Sequence, residues 1–173
     1  MKKHILILLR HGKSVEPIDF LGSDFERPLT SEWKHEAELM GQYFARLPLD
    51  IKTIFSSPSV RTRETAELCI TRLKHTSVDF EDALYTRGKV FSDALAASLA
   101  LVQNTENQGP IVMVWHNPTL TDFAEKLTGD TVPTMKKWAI LILEWKASRW
   151  SDISWWDMSV SAYITPSFLH FVE

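Results

Sequence analysis

The chain has 173 residues, 45% of them hydrophobic, and a formal net charge of −3. That length predicts one domain over 1–173 with a core of its own, and the absence of any Lys/Arg-rich run argues against nucleic acid or an anionic membrane as the main partner. The single cysteine, Cys69, excludes an internal disulfide and a Cys-rich metal site, and no stretch approaches the ~20 apolar residues of a membrane span.

Ile5 to Leu9 is continuously apolar and reads as a strand covered on both faces. It is shorter than the ~7–15 apolar residues of a signal peptide, so a soluble cytoplasmic protein is expected. The loop "FLGSDFERPLTSEW" follows, and a helix should begin near Thr30 or Ser31, either of which can cap it. Trp33, Ala37, Met40, Gly41 and Phe44 recur at helical spacing until Pro48. Residues 51–57, "IKTIFSS", form a second short strand before Pro58, and a helix with Ala66, Cys69, Ile70 and Leu73 inward comes next. "SVDF" at 77–80 reads as a short strand, and Phe91, Leu95, Leu99 and Val102 mark a third helix. "IVMVW" at 111–115 is a second wholly apolar run, Leu120 to Leu127 a fourth helix closed by Gly129, and "WAILILEW" at 138–145 a long strand. In the tail, Trp150, Trp155 and Trp156 are expected to pack rather than to stack on nucleic acid. Strands alternating with helices predict an α/β layered domain around a mostly parallel sheet.

Ligands of open α/β sheets bind beyond the carboxyl ends of the strands. Two of the most apolar strands end in histidine, "LLRHG" and "MVWHN", and a third runs into "SSPSVR", with Arg61 in the first turn of the next helix. If those strands are parallel, Arg10, His11, Arg61 and His116 converge on one edge. Two fixed guanidiniums, two imidazoles and helix N-terminal amides suit a tetrahedral dianion such as phosphate. An arginine in a first helical turn opposes the helix dipole, which a bound anion would explain. Gly12 would let the backbone turn and approach that anion.

"LLRHGKS", "ERPLTSEW", "SSPSVRTRETA" and "VWHNPTLTDFAEKLTG" resemble, in order, the motifs of the histidine phosphatase (phosphoglycerate mutase-like) superfamily. The second is similar to the short-chain branch containing the phosphohistidine phosphatase SixA. The resemblance covers residues 5 to about 130. It implies a three-layer α/β/α sandwich with a mostly parallel central sheet, phosphoglycerate mutase-like. It implies His11 as the nucleophile, Arg10 and Arg61 as holders of the phosphoryl oxygens, and His116 completing the pocket. The backbone N–H of Asn117 and the side chain of Arg27 would also reach the substrate. Neither metal nor cofactor is implied.

Many members of the superfamily carry an acid shortly after the third strand, ahead of a glycine. Here that segment reads "FEDALYTRGKV", with Tyr85 near the acid's place. Glu81, Asp82, His116 or no residue at all is then the proton donor. The expected function is a SixA-like phosphatase of phosphohistidine proteins. Small phosphate esters as substrates, or a phosphate-binding module without catalysis, are the alternatives.

Overall fold

The computed structural model describes residues 2–70, 73, 77–85 and 91–169. Six strands form one sheet in the order β3-β2-β4-β1-β5-β6, with β1 Lys2–Arg10, β2 Thr53–Ser56, β3 Ser77–Phe80, β4 Ile111–Trp115, β5 Ile140–Ala147 and β6 Ser159–Ile164. The first four of these in spatial order run parallel, whereas β5 pairs antiparallel with both β1 and β6. Strand β6 carries exposed polar residues at an edge and has no apolar run for a sequence reading to detect.

Alternation along the central strands supplies two cores. Leu6 and Leu8 face one side with Met113 and Leu141, where α3 (Phe91–Gln103) and α4 (Thr119–Thr128) cover them. Ile7 and Leu9 face the other with Val112 and Ile140, under α1 (Lys34–Arg46) and α2 (Val60–Ile70). Leu169 of the short α5 (Pro166–Leu169) packs on this second side. Leu6 to Leu9 are fully buried, as expected for a strand between two helix layers. Among the described residues no helix is long and apolar enough to cross a membrane.

Several boundaries differ from the sequence expectation. A single helical turn at Ser31–Trp33 precedes α1, and the buried Thr30 hydroxyl makes no capping bond. Helix α2 ends at Ile70, whose side chain is outside the described residues; Leu73 lies past the helix and packs on the second core. Trp138 precedes β5 rather than opening it. Its backbone is left-handed, at φ 62°, and its indole is fully buried. Trp150 is buried against His4 and Trp145, and Trp155 packs edge-on against Phe123. Trp156, by contrast, is 69% exposed and is not a core residue. It stands beside Gly129, which caps α4 at φ 74° as the sequence predicts.

The indole of Trp138 lies on Gly12, where a Cβ would fall 2.4 Å from the ring. Neither partner has room to move, because Trp138 is enclosed by the second core. Substituting Gly12→Ala should therefore destabilise the fold by about 1–3 kcal/mol through overpacking. Denaturant unfolding of Gly12→Ala, Trp138→Leu and the double variant checks this. The double variant should lose less than the sum of the two.

Candidate active site

The parallel register decides what meets at the strand ends. Arg10 is opposite Trp115, and the His11 N–H continues the ladder to the Trp115 carbonyl at 3.2 Å. The Ser57 N–H does the same to the Val114 carbonyl, at 3.0 Å. His11, His116 and Ser57 thus leave adjacent strands side by side, and the two imidazole centroids are 5.1 Å apart. Helix α2 starts three residues after Ser57, and a hydroxyl cluster of Ser59 and Thr62 ties that turn together at 2.8 Å.

An open cleft of about 400 Å³ lies at this edge. Arg10, His11, Arg27, Arg61, His116 and Asn117 all line it, so six of the seven residues singled out from the sequence come together. Gly12 does not line it: its N–H is donated to Thr65 Oγ1 at 3.1 Å and its α-carbon carries the Trp138 indole. In this structure the glycine makes room for the Trp138 indole. Asn117 uses its side-chain amide on the Met135 carbonyl, 3.0 Å away. Glu81 and Asp82 are not among the lining residues; the Glu81 N–H is bonded to the Ser56 carbonyl on the strand side.

His11 donates Nδ1–H to the Gly12 carbonyl at 2.6 Å, since a carbonyl can only accept. Nε2 therefore carries the lone pair. Burial pushes the His11 pKa down to about 3, and the Arg61 and Arg10 charges act in the same direction against the Gly12 bond. His116 is also held well below its ordinary value, first by burial, then by His11 and Arg61. Its Nε2 meets the Ser57 hydroxyl at 2.8 Å. Arg10 spends one terminal nitrogen on the Met135 carbonyl, 2.7 Å away. Among the described residues, buried nitrogens without any partner include Arg10 Nε, Arg61 Nε and His116 Nδ1, all on residues of this cleft.

Asp24 was not visible in the sequence as a site residue. It accepts from Arg27 Nε and Nη2 at 2.9 and 2.6 Å, and from Arg61 Nη2 at 3.0 Å, so one carboxylate bridges two guanidiniums. The Tyr85 hydroxyl donates to it at 3.3 Å. Burial alone would raise the Asp24 pKa, but the Arg27 bonds and the Arg61 charge overcome it and hold the carboxyl at about 2. Thr65 was also missed. Its hydroxyl donates to the Arg61 carbonyl at 2.7 Å while accepting from Gly12, which fixes β1 to the first turn of α2. The i, i+3 pairing of Asp24 with Arg27 was the available signal for the first, and the Thr65 position in "SSPSVRTRETA" for the second.

Known proteins resemble this chain in sequence and in fold. The family model for the histidine phosphatase superfamily (branch 1) matches residues 6–88, which include His11, Arg27 and Arg61. An uncharacterized protein of Picosynechococcus sp. is 30% identical over 150 residues, 83% of this chain and 87% of that one. Among solved structures, the protein histidine phosphatase SixA complexed with tungstate superposes with a TM-score of 0.77 at 22% identity, covering 95% of this chain and 99% of that one. The putative phosphohistidine phosphatase SixA from Agrobacterium tumefaciens gives 0.70 at 22%, covering 94% and 98%. These two likenesses establish the shared fold. With the matched segment containing both the strand-end Arg-His-Gly and the Arg61 turn, the chain belongs to the histidine phosphatase superfamily.

Proposed function

We propose that this protein is a phosphatase that passes the phosphoryl group through His11, and that its substrate is a phosphohistidine carried by a protein. The observation that carries the reading is a pair of unpartnered buried donors, Arg10 Nε and Arg61 Nε, on residues of one cleft with the lone pair of His11 Nε2. Unsatisfied buried N–H groups are costly unless a ligand meets them. A phosphoryl group has the oxygens to do so.

In the first step Nε2 of His11 attacks phosphorus in line, the bond to the leaving group breaks, and the guanidiniums stabilise the charge on the equatorial oxygens. In the second, water attacks phospho-His11, the N–P bond breaks, and inorganic phosphate leaves with His11 neutral again. Positive charge comes from arginine, so no metal is assigned a role. His11→Ala should fold but lose activity by several orders of magnitude. Rapid quenching of the parent with a labelled aryl phosphate should trap label on His11, and label on another residue would overturn the assignment.

Substrate choice follows from the proton donor. Among the described residues the carboxyls that line the cleft are Glu16 and Asp24, and Glu16 is paired with Lys137 Nζ at 3.7 Å. Asp24 is ionised on its two arginines and has no proton to give at neutral pH. A leaving imidazole needs less help than an alkoxide, which depends on general-acid catalysis worth about 10²–10⁴-fold. Rates across esters of graded leaving-group basicity should therefore fall steeply with basicity, with phosphohistidine hydrolysed efficiently. A flat series with fast alkyl-ester turnover would favour a small-molecule ester phosphatase instead.

Holding His11 neutral has a cost in stability. Its folded pKa, about 3, is below the ordinary 6.5. The unfolded chain thus takes up a proton as pH falls through 6.5 while the folded chain does not, so stability declines between these values, by up to ~1.4 kcal/mol per pH unit. His116 acts in the same direction. Urea unfolding from pH 7 to 4 should show this decline, and His11→Asn should make it shallower. An imidazole NMR midpoint near 6.5 for His11 would contradict the assignment.

A further inference from the structure

The loop that carries the chain from β1 to α1 passes over the cleft, and Glu16, Pro17, Asp24 and Arg27 line its wall. Between them Ile18 and Leu21 are 92% and 108% exposed, the two highest values among the exposed large apolar side chains described. Single exposed apolar residues are ordinary on a protein surface. These two are three residues apart in the segment between Pro17 and Asp24, both of which line the cleft.

The loop is also braced. At its base the Val15 N–H reaches the Pro28 carbonyl at 3.0 Å, and the Thr30 N–H reaches the Lys13 carbonyl at 2.9 Å. Arg27 donates to the Val15 carbonyl at 2.7 Å, and the Leu29 N–H is held by the Glu64 carboxylate of α2 at 2.6 Å. Within it, Ser23 and Glu26 close a reciprocal capping box. The Phe20 ring covers Gly22 so closely that a Cβ there would lie 2.5 Å away. A compact loop with pinned ends presents its tip without a further ordering cost on binding.

We propose that this loop is the docking arm for the protein that bears the phosphorylated side chain, with Ile18 and Leu21 seated on an apolar patch beside the phosphohistidine. The proposal rests on the reading of the substrate given above. The chemistry of the partner follows from the charges around the tip. Asp19 and Glu26 are exposed on the same loop, while Glu16 is paired with Lys137 at 3.7 Å, so the complementary surface is apolar at its centre and basic where it meets Asp19 and Glu26. The same acids oppose an anionic lipid surface.

The test uses one reactive group in three settings: phosphohistidine in a helical peptide flanked by Leu and Lys, phosphohistidine in the same peptide with Ser and Glu, and the free phospho-amino acid. The parent should hydrolyse the Leu/Lys peptide with a kcat/KM at least about tenfold above the other two. The pair Ile18→Ser, Leu21→Ser should remove that preference and leave aryl phosphate hydrolysis unchanged. Equal rates on all three substrates, or a preference that survives the double substitution, would overturn the docking arm while the phosphatase reading stands. Binding of dye-labelled, unphosphorylated Leu/Lys and Ser/Glu peptides reads the surface without chemistry. Preferential binding of the Leu/Lys peptide, lost in the double variant, with no phosphohistidine turnover would uphold the arm and overturn the substrate reading. Cosedimentation with phosphatidylserine vesicles, lost in the double variant, would reassign the loop to membranes and overturn the proposal.

Discussion

The parallel pairing of β1 with β4 is the constraint on which the site depends. Evenly spaced backbone bonds carry Arg10 opposite Trp115, and one further bond, from the His11 N–H, extends the ladder past the end of the strand. A slip of one residue would turn Leu6 and Leu8 toward the wrong helix layer and separate the two histidines at once. The same bonds that hold the sheet therefore set the distance between the imidazoles.

Burial does the second part of the work. The cleft edge is packed closely enough that both rings remain neutral, and neutrality is what leaves a lone pair on His11 Nε2. In the proposed function the fixed guanidiniums beside it supply the attraction for a dianion that a neutral pocket alone lacks. Thr65 and Trp138 support this from behind: one ties Gly12 to Arg61, and the other closes the back of the strand end.

Much of this was legible in the sequence, because apolar runs ending in histidine are local patterns. Ile5 to Leu9 and Ile111 to Trp115 read correctly as covered strands, and their terminal residues meet as expected from parallel pairing. What was not legible depends on contacts remote in the chain. The role of Gly12 is set by Trp138, whose backbone conformation no pattern announces. The direction of β5 and the presence of β6 follow from edge pairing, and the exposed residues of β6 leave no apolar signature. Asp24 looked like an ordinary loop carboxylate until Arg61, from a different element, was found on it.

That carboxylate has a consequence for the resting molecule. With its backbone carbonyl on one terminal nitrogen of Arg61 and its side chain on the other, Asp24 is a tethered anion on the same guanidinium that faces the cleft. Any incoming anion must displace this contact or share it, so its net affinity is a difference between two similar interactions rather than the full strength of one. Weakly held anions such as free phosphate, the product, gain least from that exchange. A ligand with further contacts outside the phosphoryl group gains most. In the proposed reaction the tether would act as a threshold, limiting how far product fills the pocket and leaving discrimination to the parts of the substrate that lie beyond the reacting atoms.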